Sequence, residues 1–317
     1  MRVALLAALS LLQDVHSFAP PQATFSIKTQ TPFHDRYPQP QRRRRQQAQS
    51  LSMASRSICT FEQSDFALPI GEWPYTEADL NRLDNTDDSQ FYDEPRFVTH
   101  IDDRAIESLT AYYQDEMSSF SKKKKVDVLD LCSSWISHLP TDKGSVNLGR
   151  VVGVGMNEKE LKANTQLTEY YVQDLNNQPN LSQFEDESFD VVCNVVSVDY
   201  LTQPLDIFKE VHRVLRPGGV SLVSFSNRCF PTKAVAMWLQ ADDIGRLTIV
   251  GSYYHYSAEW ESIEALDIKL PRMETPKRPG FGDIMANPSA AFAWASTATA
   301  VAKANSGDPM FVVKGVK

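Results

Sequence analysis

Residues 126–140 read VDVLDLCSSWISHLP. The apolar, β-branched run VDVLDL has the composition of a buried strand, and it passes at Asp130-Leu131 into a loop of small residues, Cys132, Ser133 and Ser134. In a nucleotide-binding α/β fold that loop is where the backbone comes closest to a ligand, and glycine is the residue expected there. A strand that ends this way is the first unit of a parallel sheet if the next elements alternate strand and helix.

They do alternate. RVVGVGM (150–156) is a second strand, and NEKELKAN opens a helix with Asn157 at the cap and Glu160 three residues on, a capping-box spacing. EYYVQDL (169–175) is a third strand. FDVVCNVVSV (189–198) is a fourth, apolar throughout, as suits a strand buried on both faces. The helix PLDIFKEVHRVL stops at RPGG, and VSLVSFS (220–226) is a fifth strand. Right-handed crossovers then give a doubly wound sheet with its ligand at the carboxyl ends of the first strands.

This order, with Asp130 ending the first strand, Asp174 after the third, and FEDESFDVV followed by FKEVHRVLRPGG before the fifth, resembles the class I S-adenosylmethionine-dependent methyltransferases of the type 11 branch. The resemblance covers about residues 126–228. It implies an α/β fold with a doubly wound, seven-stranded, Rossmann-like sheet, closed by an antiparallel pair that RLTIVGSYYHY (246–256) and DPMFVVKGVK (308–317) would supply. It also implies S-adenosyl-L-methionine as cofactor and a small molecule as methyl acceptor. Carried over position by position, the cofactor residues are Asp130, Cys132, Ser133, Ser134, Gly155, Met156, Asn157, Asp174, Leu175, Asn194 and Val195.

Two departures from the family's pattern stand out. Cys132, Ser134 and Ile136 occupy the three glycine positions of the first loop, and Gly155 stands where the family has the acid that takes the ribose hydroxyls. Losing such a carboxylate costs on the order of 1.5–3 kcal/mol per hydrogen bond. Asn157 is a substitute if helix capping does not claim it. These gaps keep a second reading open, a non-catalytic methyltransferase fold that serves as a binding or interaction module. VGVGMN also invites a dinucleotide reading, but the third glycine of that fingerprint is missing.

Methyl transfer asks for alignment of a nucleophile and, in some enzymes, a base. The candidates are Asp199 and Tyr200 after the fourth strand, His100 in the preceding segment, and His255 in SYYHYS, with a structural histidine as the alternative for the last. Tyr92, Asn227 and Arg228, with Lys233, are placed at the mouth of the cleft as substrate contacts; Arg228 either holds an anion or pairs with surface acids.

Outside the core, residues 58–125 read as a helical and loop lid, with Asp102 or Asp103 capping a helix over about Arg104 to Met117. The Ala-rich stretch within about 271–307 reads as an inserted loop or marginal helix in a domain that spans 126–317. Residues 1–17 have the single Arg and short apolar run of a signal peptide, and 18–57 are Arg-rich with Asp35 as the one acid, the composition of a transit peptide. Together they resemble the bipartite presequence of algal plastids acquired from a eukaryotic endosymbiont, with secretion as the alternative. The first 57 residues carry eight Lys or Arg against two Asp, so a chain with formal charge −8 leaves a remainder at −14. Such an acidic surface repels phosphate backbones and argues against nucleic acid as a partner. The four cysteines have no C-x-x-C pair, which disfavours a zinc site, and no other run approaches a membrane span; the oligomeric state is open.

Overall fold

The computed structural model describes residues 55–122, 124–141, 146–269 and 276–317. The expected signal and transit segments lie outside these residues except for the last three. Eight strands form one sheet: β1 (Arg56–Phe61), β2 (Val126–Leu131), β3 (Leu148–Gly155), β4 (Glu169–Val172), β5 (Phe189–Val195), β6 (Leu215–Phe225), β7 (Ser262–Asp267) and β8 (Phe311–Val316). Around them run α1 (Glu77–Leu80), α2 (Asp88–Phe91), α3 (Asp103–Ser121), α4 (Glu158–Ala163), α5 (Pro204–Val214), α6 (Ala236–Gln240), α7 (Asp243–Ser257), α8 (Phe281–Ala286) and α9 (Pro288–Asn305). Among the described residues no helix is long and apolar enough to cross a membrane.

The strand order is β1-β7-β8-β6-β5-β2-β3-β4. β2 pairs in parallel with both β3 and β5, and β4 and β6 extend the parallel run on either side. The chain therefore reverses its winding between β2 and β5, and a crevice opens at their carboxyl ends. β8 runs antiparallel to β6 and to β7, the closing pair expected of a Rossmann-like methyltransferase sheet. An eighth strand, β1, adds to the edge antiparallel to β7, so the segment before β2 begins as sheet rather than as lid.

Two expectations are corrected here. RLTIVGSYYHY is helix, not strand: Asp242 caps α7 by accepting from the Gly245 amide at 2.8 Å, and every residue from Ile249 to Ser257 is buried. A helix covered on all sides has no polar face, so its apolar run carries no 3.6-residue period and imitates a strand. The sheet's partner for β8 is instead the less apolar SIEALD of β7. RPGG is likewise not a separate turn. Gly218, at φ +74°, sits inside β6, where its amide donates to the Lys317 carbonyl at 2.6 Å and fastens the C-terminus to the sheet. The Ala-rich stretch forms α8 and α9 over its described part.

The RVLRPGG element holds the fold through its arginines. Arg213 binds Glu210 (2.8 Å), Asp186 (2.7 Å) and the carbonyls of Leu181 and Phe184, which ties α5 to the loop leading into β5. Arg216 bridges Asp127 on β2 and Asp190 on β5. Its role is to lock the register of the strands that carry the crevice.

Candidate active site

The floor of the crevice is the loop after β2. Asp130 is buried and accepts the Ser133 hydroxyl at 2.7 Å, and burial pushes its carboxyl up to about 6. Cys132 takes φ +55°, the left-handed conformation for which glycine is the ordinary choice. The Ser133 amide donates to the Val154 carbonyl at 2.8 Å, so the loop continues the β2–β3 ladder instead of arching away from it. This path explains Gly155. A Cβ there would lie 2.1 Å from the Ser133 carbonyl oxygen, a contact no side chain survives. The loop fills the space that a side chain at this position, where the resemblance expects the ribose acid, would need. Gly153 is less tightly constrained, facing the end of the Leu167 side chain and the Ser133 hydroxyl, so both glycines of VGVG serve loop and strand packing.

Both serine hydroxyls are also committed. Ser134 donates to Glu160 at 2.5 Å, as Ser133 does to Asp130, so neither has a proton left for a ligand. Asn157 caps α4 by accepting from the amides of Lys159 and Glu160, and its amide nitrogen donates to the carbonyls of Tyr92 (2.9 Å) and Asp93 (2.8 Å). Capping and cover-fastening both claim Asn157. The capping box is left half built, because Glu160 reaches the Arg96 amide (2.6 Å) and Ser134 rather than its own helix start.

These bonds fasten a strap, α2 and the residues from Tyr92 to Ile101, across the crevice. Trp135 donates from Nε1 to the Val98 carbonyl at 3.1 Å, and Phe97 stacks edge-on against Trp135. At the other end, buried Asp88 is bound by Arg82 (2.8 Å), Lys233 (3.2 Å) and Asn176 (2.9 Å). Lys233 is fully buried, so it is a strap anchor and not a residue at the cleft mouth.

Beneath the strap is a cavity of about 580 Å³, within the range of pockets that take drug-sized ligands. Of the residues expected to hold the cofactor, Asp130, Cys132, Ser133, Ser134, Gly155, Met156, Asn157, Asp174, Leu175 and Val195 line it; Asn194 does not. Asn194 is buried in β5 behind the wall, and its Oδ1 has no hydrogen-bond partner among the described residues. Tyr92, Asn227, Arg228, His100 and Tyr200 also line the cavity. Arg228 is paired with Asp308 at 2.7 Å, as one of its two readings expects.

Two catalytic candidates fall outside. His255 lies on α7, stacked on Phe66 at 4.1 Å with Nε2 near the Leu68 carbonyl, a structural histidine. Asp199 is buried and does not line the cavity, and desolvation pushes its carboxyl up to about 8, so it is neutral at pH 7. Tyr200 accepts from the Phe230 amide at 2.8 Å, and burial raises its phenol, which leaves it a donor rather than a base. His100 differs: partial desolvation lowers the imidazole of this solvent-accessible residue, which is therefore uncharged at neutral pH and competent to accept a proton. The Cys132 thiol, pushed up to about 12 by burial, is no nucleophile.

The cavity also holds residues that reading the sequence passed over: Arg96, His138, Glu160 as a wall residue, and Phe230. His138 takes φ +55°, and burial holds it down to about 4. Val196, a β-branched residue at φ +43°, forms the wall just after β5. Backbone strain of this kind, of order 1–3 kcal/mol per residue, gathers at functional sites. No sequence signal announces a left-handed Val or His.

The Methyltransferase domain family model matches residues 114–223, which run from α3 through β2 to β6. No curated protein matches the chain. Among solved structures it is similar to an S-adenosylmethionine-dependent methyltransferase from Mesorhizobium loti (16% identity, 61% of this chain and 91% of that one, TM-score 0.33). Another is an S-adenosylmethionine-dependent methyltransferase from Archaeoglobus fulgidus (13%, 67% and 94%, TM-score 0.39). A third is phosphoethanolamine N-methyltransferase 2 of Haemonchus contortus, in complex with phosphomonomethylethanolamine and S-adenosylhomocysteine (15%, 65% and 52%, TM-score 0.35).

Proposed function

We propose, for a chain whose residues 114–223 match the Methyltransferase domain family model, that the strap-covered cleft binds S-adenosylmethionine and methylates a small organic molecule in a plastid. The observation that carries this reading is the coincidence of one roomy cavity with the carboxyl ends of β2, β3, β4 and β5 at the winding reversal. The residues fit the cofactor in part. Asp174, Leu175 and Met156 would take the adenine side, and the loop of Cys132 to Ser134 the methionine side, while the ribose side lacks its acid. When bound, the cofactor supplies a methyl group that its sulfonium has already made electrophilic.

This chain's residues then have three tasks. The strap excludes water, Tyr92 and Tyr200 wall the acceptor, and His100 takes the acceptor's proton. Full-length protein incubated with methyl-labelled S-adenosylmethionine and a plastid small-molecule extract should transfer label to a low-molecular-weight product. Label transfer should fall at least tenfold in His100→Asn, with the loss smaller at high pH, where the acceptor ionises unaided.

A second reading, a binding module without turnover, is favoured by one specific observation, the Ser133 carbonyl set where the ribose acid would stand. It requires that the cofactor fail to bind productively, so that no labelled product forms with any acceptor.

A further inference from the structure

Of the two arginines on the cavity wall, Arg228 has a carboxylate partner and Arg96 has none among the described residues. Arg228 is paired with Asp308, Asp88 with Arg82 and Lys233, Asp130 with Ser133, and Asp174 accepts from the Asn176 amide at 2.8 Å. Arg96 forms no ion pair within 4 Å among the described residues. Glu160 accepts from the Ser134 hydroxyl with one oxygen and from the backbone amide of Arg96 with the other, and neither oxygen forms an ion pair with the Arg96 guanidinium. The guanidinium is nonetheless held in place. One nitrogen donates to the Phe91 carbonyl at 2.8 Å, and the group lies over the rings of Phe91 (4.5 Å), Phe230 (5.6 Å) and Tyr92 (5.7 Å).

We infer that Arg96 is the anchor for an anionic group on the methyl acceptor, a carboxylate or phosphate carried by a body flat or apolar enough to lie against the aromatic wall. This rests on the methyltransferase reading above and gives its substrate a chemical class. The physical case has three parts. A fixed cation inside a cavity gains far more from an anion than one in water does, because the surrounding rings keep solvent off it. The planar fork of a guanidinium suits a bidentate carboxylate or phosphate. The position then separates the two anions that a methyltransferase cleft can hold. Phe230 follows β6, on the side of the crevice away from β3 and β4, and it also packs against His100 (5.5 Å) and Tyr200 (6.0 Å). The backbone of Arg96 is tied to Glu160 on the β3 side, but its guanidinium lies against Phe230, so we assign its anion to the acceptor, and the titrations below distinguish this from the cofactor's amino-acid carboxylate. His100, uncharged and touching the same Phe230 ring, stands beside that anchor.

The test uses calorimetric titration of the full chain with phenyl phosphate and with benzoate, in the presence and absence of S-adenosylhomocysteine. Wild type should bind at least one of the two anions, Arg96→Gln should weaken it tenfold or more, and Arg96→Lys should retain part of the affinity with an unchanged melting temperature. Affinity for S-adenosylhomocysteine should be the same in all three proteins. If Arg96→Gln weakens S-adenosylhomocysteine tenfold but leaves methylthioadenosine, which lacks the carboxylate, untouched, the arginine holds the cofactor and the inference is overturned. It is overturned equally if wild type binds neither anion, or if Arg96→Gln and Arg96→Lys both bind them as tightly as wild type. Failure of wild type to bind S-adenosylhomocysteine contradicts the methyltransferase reading alone, since the anion titrations without it still decide the role of Arg96.

Discussion

Gly155 and Ser133 determine each other. In the expected pattern position 155 is an acid and the loop before it is glycine-rich. Here the loop is Cys-Ser-Ser, bonded to β3 through the Ser133 amide, and its carbonyl fills the space a side chain at 155 would need. Both departures were visible in the sequence; that they are one event was not, because it depends on the path of a backbone and not on residue type. Restoring the family's acid alone should therefore fail. Gly155→Asp is expected to destabilise the protein by about 1–3 kcal/mol, the usual cost of overpacking a tight site, and to leave S-adenosylhomocysteine binding no tighter. Urea denaturation and calorimetry check the two halves, and a variant that is both stable and tighter-binding would show that the loop yields.

Elements were legible where a short, continuously apolar run or a clear one-sided period marked them. The strands β2, β3 and β5 and the amphipathic α5 stood out from period and composition, and Asp102 caps α3 as the local sequence requires. α7 did not, because its second half, Ile249 to Ser257, is buried all round, and β7 did not, because its six residues alternate weakly near an edge. The strap was foreseen as a lid but not its anchoring, since Lys233 reaches Asp88 across 145 positions of sequence. That buried cluster is a point of vulnerability. Asp88→Ala leaves Arg82, Lys233 and Asn176 short of a common partner, and the expected cost is about 3–5 kcal/mol, read as a shift in the urea midpoint. Hydrogen exchange should also quicken between residues 82 and 101. A loss below about 1 kcal/mol would mean the strap is held chiefly by Asn157 and Trp135.

At the scale of the whole molecule, two features belong together: an acidic folded region and a basic leader of 57 residues. We propose that the leader is an address and the remainder the working protein of a plastid. A fluorescent fusion of residues 1–60, expressed in an alga with a plastid of eukaryotic-endosymbiont origin, should enter that organelle, and secretion of the fusion would contradict the proposal. The crevice that the sheet order creates and the strap covers is the centre of the folded region's described residues. The whole functional account depends on what enters that crevice. The most direct measurement is calorimetric titration of the full chain with S-adenosylmethionine. The account predicts one saturable site, weaker than that of an enzyme with the ribose acid by tenfold or more, and lost on Asp174→Ala. No detectable heat up to millimolar S-adenosylmethionine, with NADPH binding in its place, would contradict it.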